Sequence, residues 1–149
     1  MSGKAPGAGH PAYVLDTSAL LTLTGDEPGA EQVQGLLHRA RRREATLYLS
    51  FMSVMEAGYQ AFQMAGEEGL AKLLAFLEEL PLHRVDVTDA LISQAAIFKG
   101  TFRLSVADAW ILATAKSSSA ILVHKDPEFE QARAQVTLQA LPYKRPLSS

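Results

Sequence analysis

The chain has 149 residues, of which 48% are hydrophobic, and its 14 Lys and Arg against 16 Asp and Glu leave a net charge of −2. Because the sequence has no cysteine, disulfide scaffolds and cysteine-ligated metal sites are excluded. The near-neutral charge argues against a polycationic binder, and no apolar run reaches the roughly 18 residues of a membrane span. We expect a cytoplasmic protein with one domain over 12–142, a flexible N-terminal tail at 1–11 and a loose C-terminal tail at 143–149.

Short apolar runs alternate with helical periodicity along the chain. The first half predicts a strand at Tyr13–Leu15, a helix over 17–23, a helix at Ala30–Arg43, a strand at Thr46–Leu49, a helix at Ser53–Ala65 that Gly66 stops, and a leucine-rich helix that Pro81 ends. The second half predicts a strand at His83–Val87, helices at Thr88–Phe98 and Ser105–Lys116, a strand at Ala120–Val123, a short helix opened by Asp126-Pro127, and a strand at Val136–Leu138. This alternation is typical of a three-layer α/β/α fold with a mostly parallel central sheet.

Four acidic residues stand where such a sheet places its sites. Asp16 directly follows the first strand, and Asp126 follows the strand at Ala120–Val123. Glu56 and Asp108 fall in the first turns of predicted helices. Because strand C-termini and the helix N-termini that follow them share one edge of a parallel sheet, we expect all four carboxylates to face one crevice.

Each carboxylate also has a purely structural interpretation. Ser53-x-x-Glu56 and Ser105-x-x-Asp108 match capping boxes, which satisfy free N–H groups at a helix start. Asp16 fits a turn, and Asp126 before Pro127 fits an N-cap. The functional interpretation therefore depends on the four residues acting together.

A cluster of carboxylates requires a cation or shared protons. At separations of about 6 Å, each pair repels by about 3 kcal/mol at an effective dielectric constant near 20. Ligation by oxygen alone suits Mg²⁺ or Mn²⁺, which often bind substrates that contain phosphate. The chemistry that such a centre favours is hydrolysis of phosphodiester bonds.

Four segments of the sequence resemble the PIN-domain ribonucleases, and in particular the VapC-type toxins of prokaryotic toxin–antitoxin pairs. They are VLDTSALL (14–21), SVMEAGY (53–59), LSVADAWILATA (104–115) and ILVHKDPEF (121–129). Their order and the spacing of their acids match the family from Tyr13 onward. The resemblance implies a PIN fold and cleavage of single-stranded RNA with Mg²⁺ or Mn²⁺ held by four residues, Asp16, Glu56, Asp108 and Asp126.

The resemblance also implies roles for two hydroxyl side chains, and the sequence departs from the family pattern at one position. Thr17 and Ser18 match the hydroxyl pair that helps to position metal or substrate, whereas His124 stands where the family usually has Thr or Ser. His124 either replaces that contact or packs at a strand end. Among the basic residues near the later motifs, Arg103 and Lys125 are the candidates for contact with RNA phosphates.

The resemblance further implies a small antitoxin as partner. The helix at Ser53–Ala65 carries a bulky stripe formed by Met52, Met55, Tyr59 and Phe62. We expect this stripe to pack in the core, against the neighbouring leucine-rich helix or, in a homodimer, against a second subunit. The rival hypothesis is a catalytically inactive PIN-like domain that binds protein or RNA.

Overall fold

The computed structural model describes residues 9–143, in which five short strands form one sheet with the order β3-β2-β1-β4-β5, and every neighbouring pair is parallel. The strands are β1 (Ala12–Leu15), β2 (Thr46–Ser50), β3 (His83–Val85), β4 (Ile121–His124) and β5 (Leu138–Ala140). The helices are α1 (Thr17–Gly25), α2 (Ala30–Arg41), α3 (Phe51–Glu79), α4 (Asp89–Thr101), α5 (Val106–Ser117) and a 3-10 helix (Pro127–Ala132).

Strand β1 lies at the centre of the sheet, where Val14 is level with Tyr48 of β2 and Leu122 of β4. Alternate side chains of β1 enter two separate cores because successive residues of a strand point to opposite faces. Leu15 packs in one core with residues of α1, α2 and α3, whereas Val14 packs in the other with residues of α4 and α5. The predicted three-layer α/β/α arrangement is confirmed, and the sheet is parallel throughout.

Helix α3 is interrupted at the predicted stop. Ala65 has φ −144° and Gly66 has φ 66° and ψ −158°, so the chain leaves the helical conformation there before it resumes. The second half of α3 returns alongside the first, since a Cβ atom at Gly58 would lie 3.1 Å from Leu70 Cδ1. The glycine at position 58 therefore permits the two halves to approach closely.

Several predicted boundaries are wrong. Helix α3 begins at Phe51 with Ser50 as its cap, so Ser53 lies inside the helix and does not start it. Helix α4 continues past the predicted end at Phe98 to Thr101. The last strand starts at Leu138, not at Val136, because the amide of Val136 closes a turn onto the carbonyl of Ala132.

The predicted tails, 1–11 and 143–149, lie almost wholly outside the described residues. Within 9–143, no helix has the length and apolar character that crossing a bilayer requires.

Candidate metal centre

The carboxyl edge of the sheet carries a crevice of about 440 Å³. Four different segments supply the four predicted acidic residues: Asp16 directly follows β1, Glu56 lies on α3, Asp108 lies in the first turn of α5, and Asp126 follows β4. The residues lining it are Asp16, Thr17, Ser18, Leu21, Glu27, Glu56, Gln60, Asp108, Lys125 and Asp126. The structure thus brings together the four predicted carboxylates and the hydroxyl pair.

Asp16 is the most enclosed of the four carboxylates, with 4% of its surface exposed. Its Oδ1 accepts a hydrogen bond of 2.6 Å from the amide of Ala19, so Asp16 caps α1, and the hydroxyl of Ser18 lies 2.9 Å from both of its oxygens. Burial raises the pKa of Asp16 from 3.8 to about 7, although these hydrogen bonds oppose the rise, and the charge of Asp108 adds to it. The ionised carboxylate of Asp16 is therefore unfavourable in this buried position, and a bound cation would stabilise it.

Asp108 is half-buried at the start of α5. The hydroxyl of Ser105 accepts a hydrogen bond of 3.1 Å from the Asp108 amide, so the predicted cap is present. Burial raises the pKa of Asp108 from 3.8 to about 6, and the charges of Asp126 and Glu56 raise it further. Capping thus uses the backbone of Asp108 and the side chain of Ser105, while the carboxylate of Asp108 faces the crevice.

Glu56 is oriented by the residue that follows Asp16 in the chain. The hydroxyl of Thr17 donates a hydrogen bond of 2.6 Å to Glu56 Oε1, and the Thr17 and Ser53 hydroxyl oxygens lie 3.0 Å apart. Because α3 is capped by Ser50, Ser53 is free to face Thr17 from inside the helix. The capping-box interpretation of Ser53 and Glu56 is therefore wrong, since Ser53 does not stand at a helix start.

Asp126 caps the 3-10 helix, with its Oδ1 accepting a hydrogen bond of 2.9 Å from the amide of Glu128. Asp108, Asp126 and Glu128 each offer a carboxylate oxygen, and these oxygens lie within 4.8 Å of one another. Sequence reasoning missed Glu128. The signal that could have identified Glu128 is its position two residues after Asp126, in the short helix that the Asp126-Pro127 pair opens.

Lys125 is a buried cation in the wall of the crevice, and only 3% of its side chain is exposed. Its ammonium group donates a hydrogen bond of 2.8 Å to the carbonyl oxygen of Pro28 and lies 3.3 Å from Glu27 Oε1. Glu27 is a fifth carboxylate in the crevice that the sequence analysis missed, because it comes from the turn between α1 and α2. The contacts of Lys125 fix that turn as one side of the crevice.

Two predicted residues lie outside the crevice lining. His124 is fully buried behind it, with its ring against that of Phe129. Arg103 is exposed before the start of α5, where its amide donates to the side chain of Gln131.

The family model for the PIN domain matches residues 13–135 of the chain. The chain belongs to the PIN domain family. The match covers β1 except its first residue, all of β2, β3 and β4, and the four predicted carboxylates of the crevice. Among curated proteins, no sequence matches the chain at a significant level.

Solved structures share this fold at low sequence identity. The VapBC2 structure from Rickettsia felis, bound to a DNA fragment from its promoter, includes a chain with a TM-score of 0.71 and 16% identity, covering 88% of this chain and 99% of that one. VapBC-1 from nontypeable Haemophilus influenzae gives a TM-score of 0.68 and 21% identity, covering 87% and 97%. VapC20 of Mycobacterium tuberculosis is a toxin that cleaves the sarcin–ricin loop. Its structure gives a TM-score of 0.63 at 16% identity, and the match covers 80% of this chain and 94% of that one. The structural neighbours of this PIN domain are therefore toxins of VapBC type.

Proposed function

We propose that this PIN domain is a metal-dependent endoribonuclease that cleaves phosphodiester bonds in single-stranded RNA, and that it is the toxin of a toxin–antitoxin pair. The observation that carries the proposal is the convergence of Asp16, Glu56, Asp108 and Asp126 on one crevice. Two of these carboxylates, Asp16 and Asp108, have pKa values raised to about 7 and about 6. Carboxylates that serve only to cap helices do not need to converge on one crevice.

The donor set fits Mg²⁺ or Mn²⁺. The four carboxylates supply oxygen ligands alone, which these hard cations prefer. Burial, and after it the charges of Asp126 and Glu56, raise the pKa of Asp108, and a bound cation would offset both effects. When bound, the metal would activate water for attack on a phosphodiester and stabilise the leaving oxygen. Asp108, Asp126 and Glu128 each offer an oxygen that lies within 4.8 Å of the other two.

The remaining residues of the crevice orient these ligands and the substrate. Thr17 holds Glu56 by its hydroxyl, and Ser18 holds Asp16. We assign contact with RNA phosphates to Arg103, which is exposed before the start of α5. Lys125, the other candidate from the sequence, is buried against Pro28 and Glu27 and so is assigned to the crevice wall.

Cleavage of an end-labelled single-stranded RNA tests this function. We expect cleavage in Mg²⁺ or Mn²⁺, none in EDTA, and loss of cleavage in Asp16→Asn and Asp108→Asn. The matched control is Asp89→Asn, which removes a carboxylate from the first turn of α4, outside the crevice, and should cleave like the wild type. Cleavage that persists in EDTA or in both crevice variants would refute the proposal. RNA binding without cleavage in either metal would favour the inactive binding module.

The proposed toxin requires a partner that silences it in the cytoplasm. We propose a small antitoxin segment that covers the crevice and places a guanidinium group against the carboxylates, because arginine binds carboxylates through two hydrogen bonds. Expression of the chain alone should arrest growth, and expression together with the small protein encoded beside it should restore growth. Normal growth at high expression of the chain alone, with cleavage intact in vitro, would remove the toxin role and leave the nuclease.

The predicted stripe on α3 supports a homodimer. Met52 is partly buried against the core beneath α4 and α5, so it does not belong to the exposed stripe. Met55, Tyr59 and Phe62 remain 52%, 46% and 49% exposed and line an open groove of about 430 Å³. Arg84 and Asp86 also line that groove, where they form a salt bridge of 2.8 Å with each other, so the surface left to meet a second copy across a two-fold axis is mainly apolar.

Light scattering at tens of micromolar should therefore give a dimer, and replacing Tyr59 and Phe62 by Glu should give a folded monomer. A monomeric wild type would contradict the dimer, and an unfolded double variant would assign the stripe to the core.

A further inference from the structure

His124, the last residue of β4, is fully buried, and both of its ring nitrogens have protein partners. The backbone N–H of Asp126 points at Nδ1, with the two nitrogens 3.2 Å apart. On the other side of the ring, Nε2 lies 2.9 Å from Oε2 of Glu130. The ring also packs edge-on against Phe129, with 5.4 Å between the ring centroids.

These contacts fix the position of the ring proton. A backbone N–H only donates, so Nδ1 must present its lone pair to Asp126, and a carboxylate oxygen accepts, so Nε2 must carry the hydrogen. We infer that His124 is a positioning residue, and that its two ring contacts fix the segment that carries Asp126 and Glu128.

The imidazole acts on this segment at both ends. At its start, Nδ1 holds the amide of Asp126, whose side chain in turn caps the 3-10 helix. Further along, Nε2 holds Glu130 in the same helix. The oxygens of Asp126 and Glu128 thereby lie within 4.8 Å of an oxygen of Asp108. Groups that orient metal ligands in this way commonly change metal affinity by about 10- to 100-fold when they are lost.

Two substitutions separate the contacts of His124. In His124→Asn the side-chain amide stands near the place of Nδ1 and keeps an acceptor for the Asp126 amide. In His124→Gln the amide reaches the place of Nε2, so the contact with Glu130 is kept and the acceptor for Asp126 is lost. The matched control is Glu130→Gln, which keeps an acceptor oxygen for the hydrogen on Nε2.

The first readout is independent of metal and of activity. Nitrogen-15 NMR of the metal-free wild type should show a protonated Nε2, an unprotonated Nδ1, and a scalar coupling across the hydrogen bond between the Asp126 amide and Nδ1. A protonated Nδ1, or the absence of that coupling, would overturn the inference even if His124→Gln failed to fold.

The second readout is Mn²⁺ affinity by calorimetry, and it rests on the proposed function because it takes the carboxylates as metal ligands. We expect His124→Gln to bind Mn²⁺ at least about 10-fold more weakly than the wild type, His124→Asn less weakly, and Glu130→Gln within about threefold of it. Wild-type affinity in a folded His124→Gln would overturn the positioning role. A wild type that binds no Mn²⁺ would instead refute the proposed metal centre, while the NMR result would still decide whether Nδ1 of His124 accepts the Asp126 amide.

Discussion

Replacing Asp16 by Asn should stabilise the metal-free protein at alkaline pH. Asp16 is 4% exposed, and its pKa is raised by burial from 3.8 to about 7. A raised pKa means that the folded protein binds the proton more tightly than the unfolded chain does. The stability contributed by the proton is therefore complete below pH 3.8 and is lost as the pH rises through 7.

The size of the effect follows from the same two values of the Asp16 pKa. The interval from 3.8 to about 7, at about 1.4 kcal/mol for each pH unit, corresponds to about 4 kcal/mol once the carboxylate is fully ionised. Asn keeps a carbonyl oxygen for the amide of Ala19 and is as good a helix cap as Asp. We expect the free energy of unfolding of Asp16→Asn to exceed that of the wild type by up to about 4 kcal/mol at pH 8. This difference should shrink as the pH falls to 5.

Urea unfolding in EDTA between pH 5 and 8.5 measures this difference. Asp89→Asn is the control, because it removes an exposed carboxylate from a first helical turn and should show no such pH dependence. Excess Mn²⁺ should reverse the order at pH 8, since a ligand that binds the folded state stabilises it and Asp16→Asn has lost one ligand oxygen. An Asn variant no more stable than the wild type at pH 8 in EDTA, or a gain that is independent of pH, would refute the reasoning.

Three further predictions concern residues around the crevice and in α3. Thr17→Val should weaken Mn²⁺ binding by about 10- to 100-fold in calorimetry, because Glu56 loses its hydrogen bond, whereas Thr17→Ser should restore it. Lys125→Met should lower the free energy of unfolding by about 1–3 kcal/mol in urea, because a carbonyl and a carboxylate lose their buried donor; an unchanged midpoint would show that this cation does not fix the crevice wall. Gly66→Ala should lower the free energy of unfolding by about 1–3 kcal/mol, because φ is 66° at this position. Gly100→Ala is the control: it lies in a helix with open space around it and should be neutral or stabilising. Equal effects of the two substitutions would contradict backbone strain at Gly66.

The sequence predicts the positions of Asp16 and Asp126 well, because both depend on local rules. Each follows a short apolar strand, and parallel strands bring their carboxyl ends to one edge of the sheet. Glu56 was expected there from a helix that starts at Ser53, and it does line the crevice, although that helix starts at Phe51. The error arises because Ser50 and Ser53 are both good caps by composition.

The parts that sequence could not supply depend on contacts between distant segments. Glu27 reaches the crevice beside the ammonium of Lys125, 98 positions later in the chain, and no local pattern marks such a pair. His124 was interpreted as a replacement for a hydroxyl at the metal or as a residue that packs at the strand end. Its two hydrogen bonds depend on the path of the 3-10 helix, which brings Glu130 to the far side of the ring.

The central position of β1 has a consequence for the protein during its own synthesis. Strand β1 is the first to leave the ribosome, yet one of its two neighbours in the sheet is β4, more than 100 residues later. Every nascent fragment that stops before Ile121 lacks both that neighbour and Asp126, one of the four carboxylates. Since domains fold as units while chains emerge, the crevice closes only after this late segment is released. While the growing chain is still on the ribosome, beside ribosomal and messenger RNA, its four acidic residues are therefore not yet brought together.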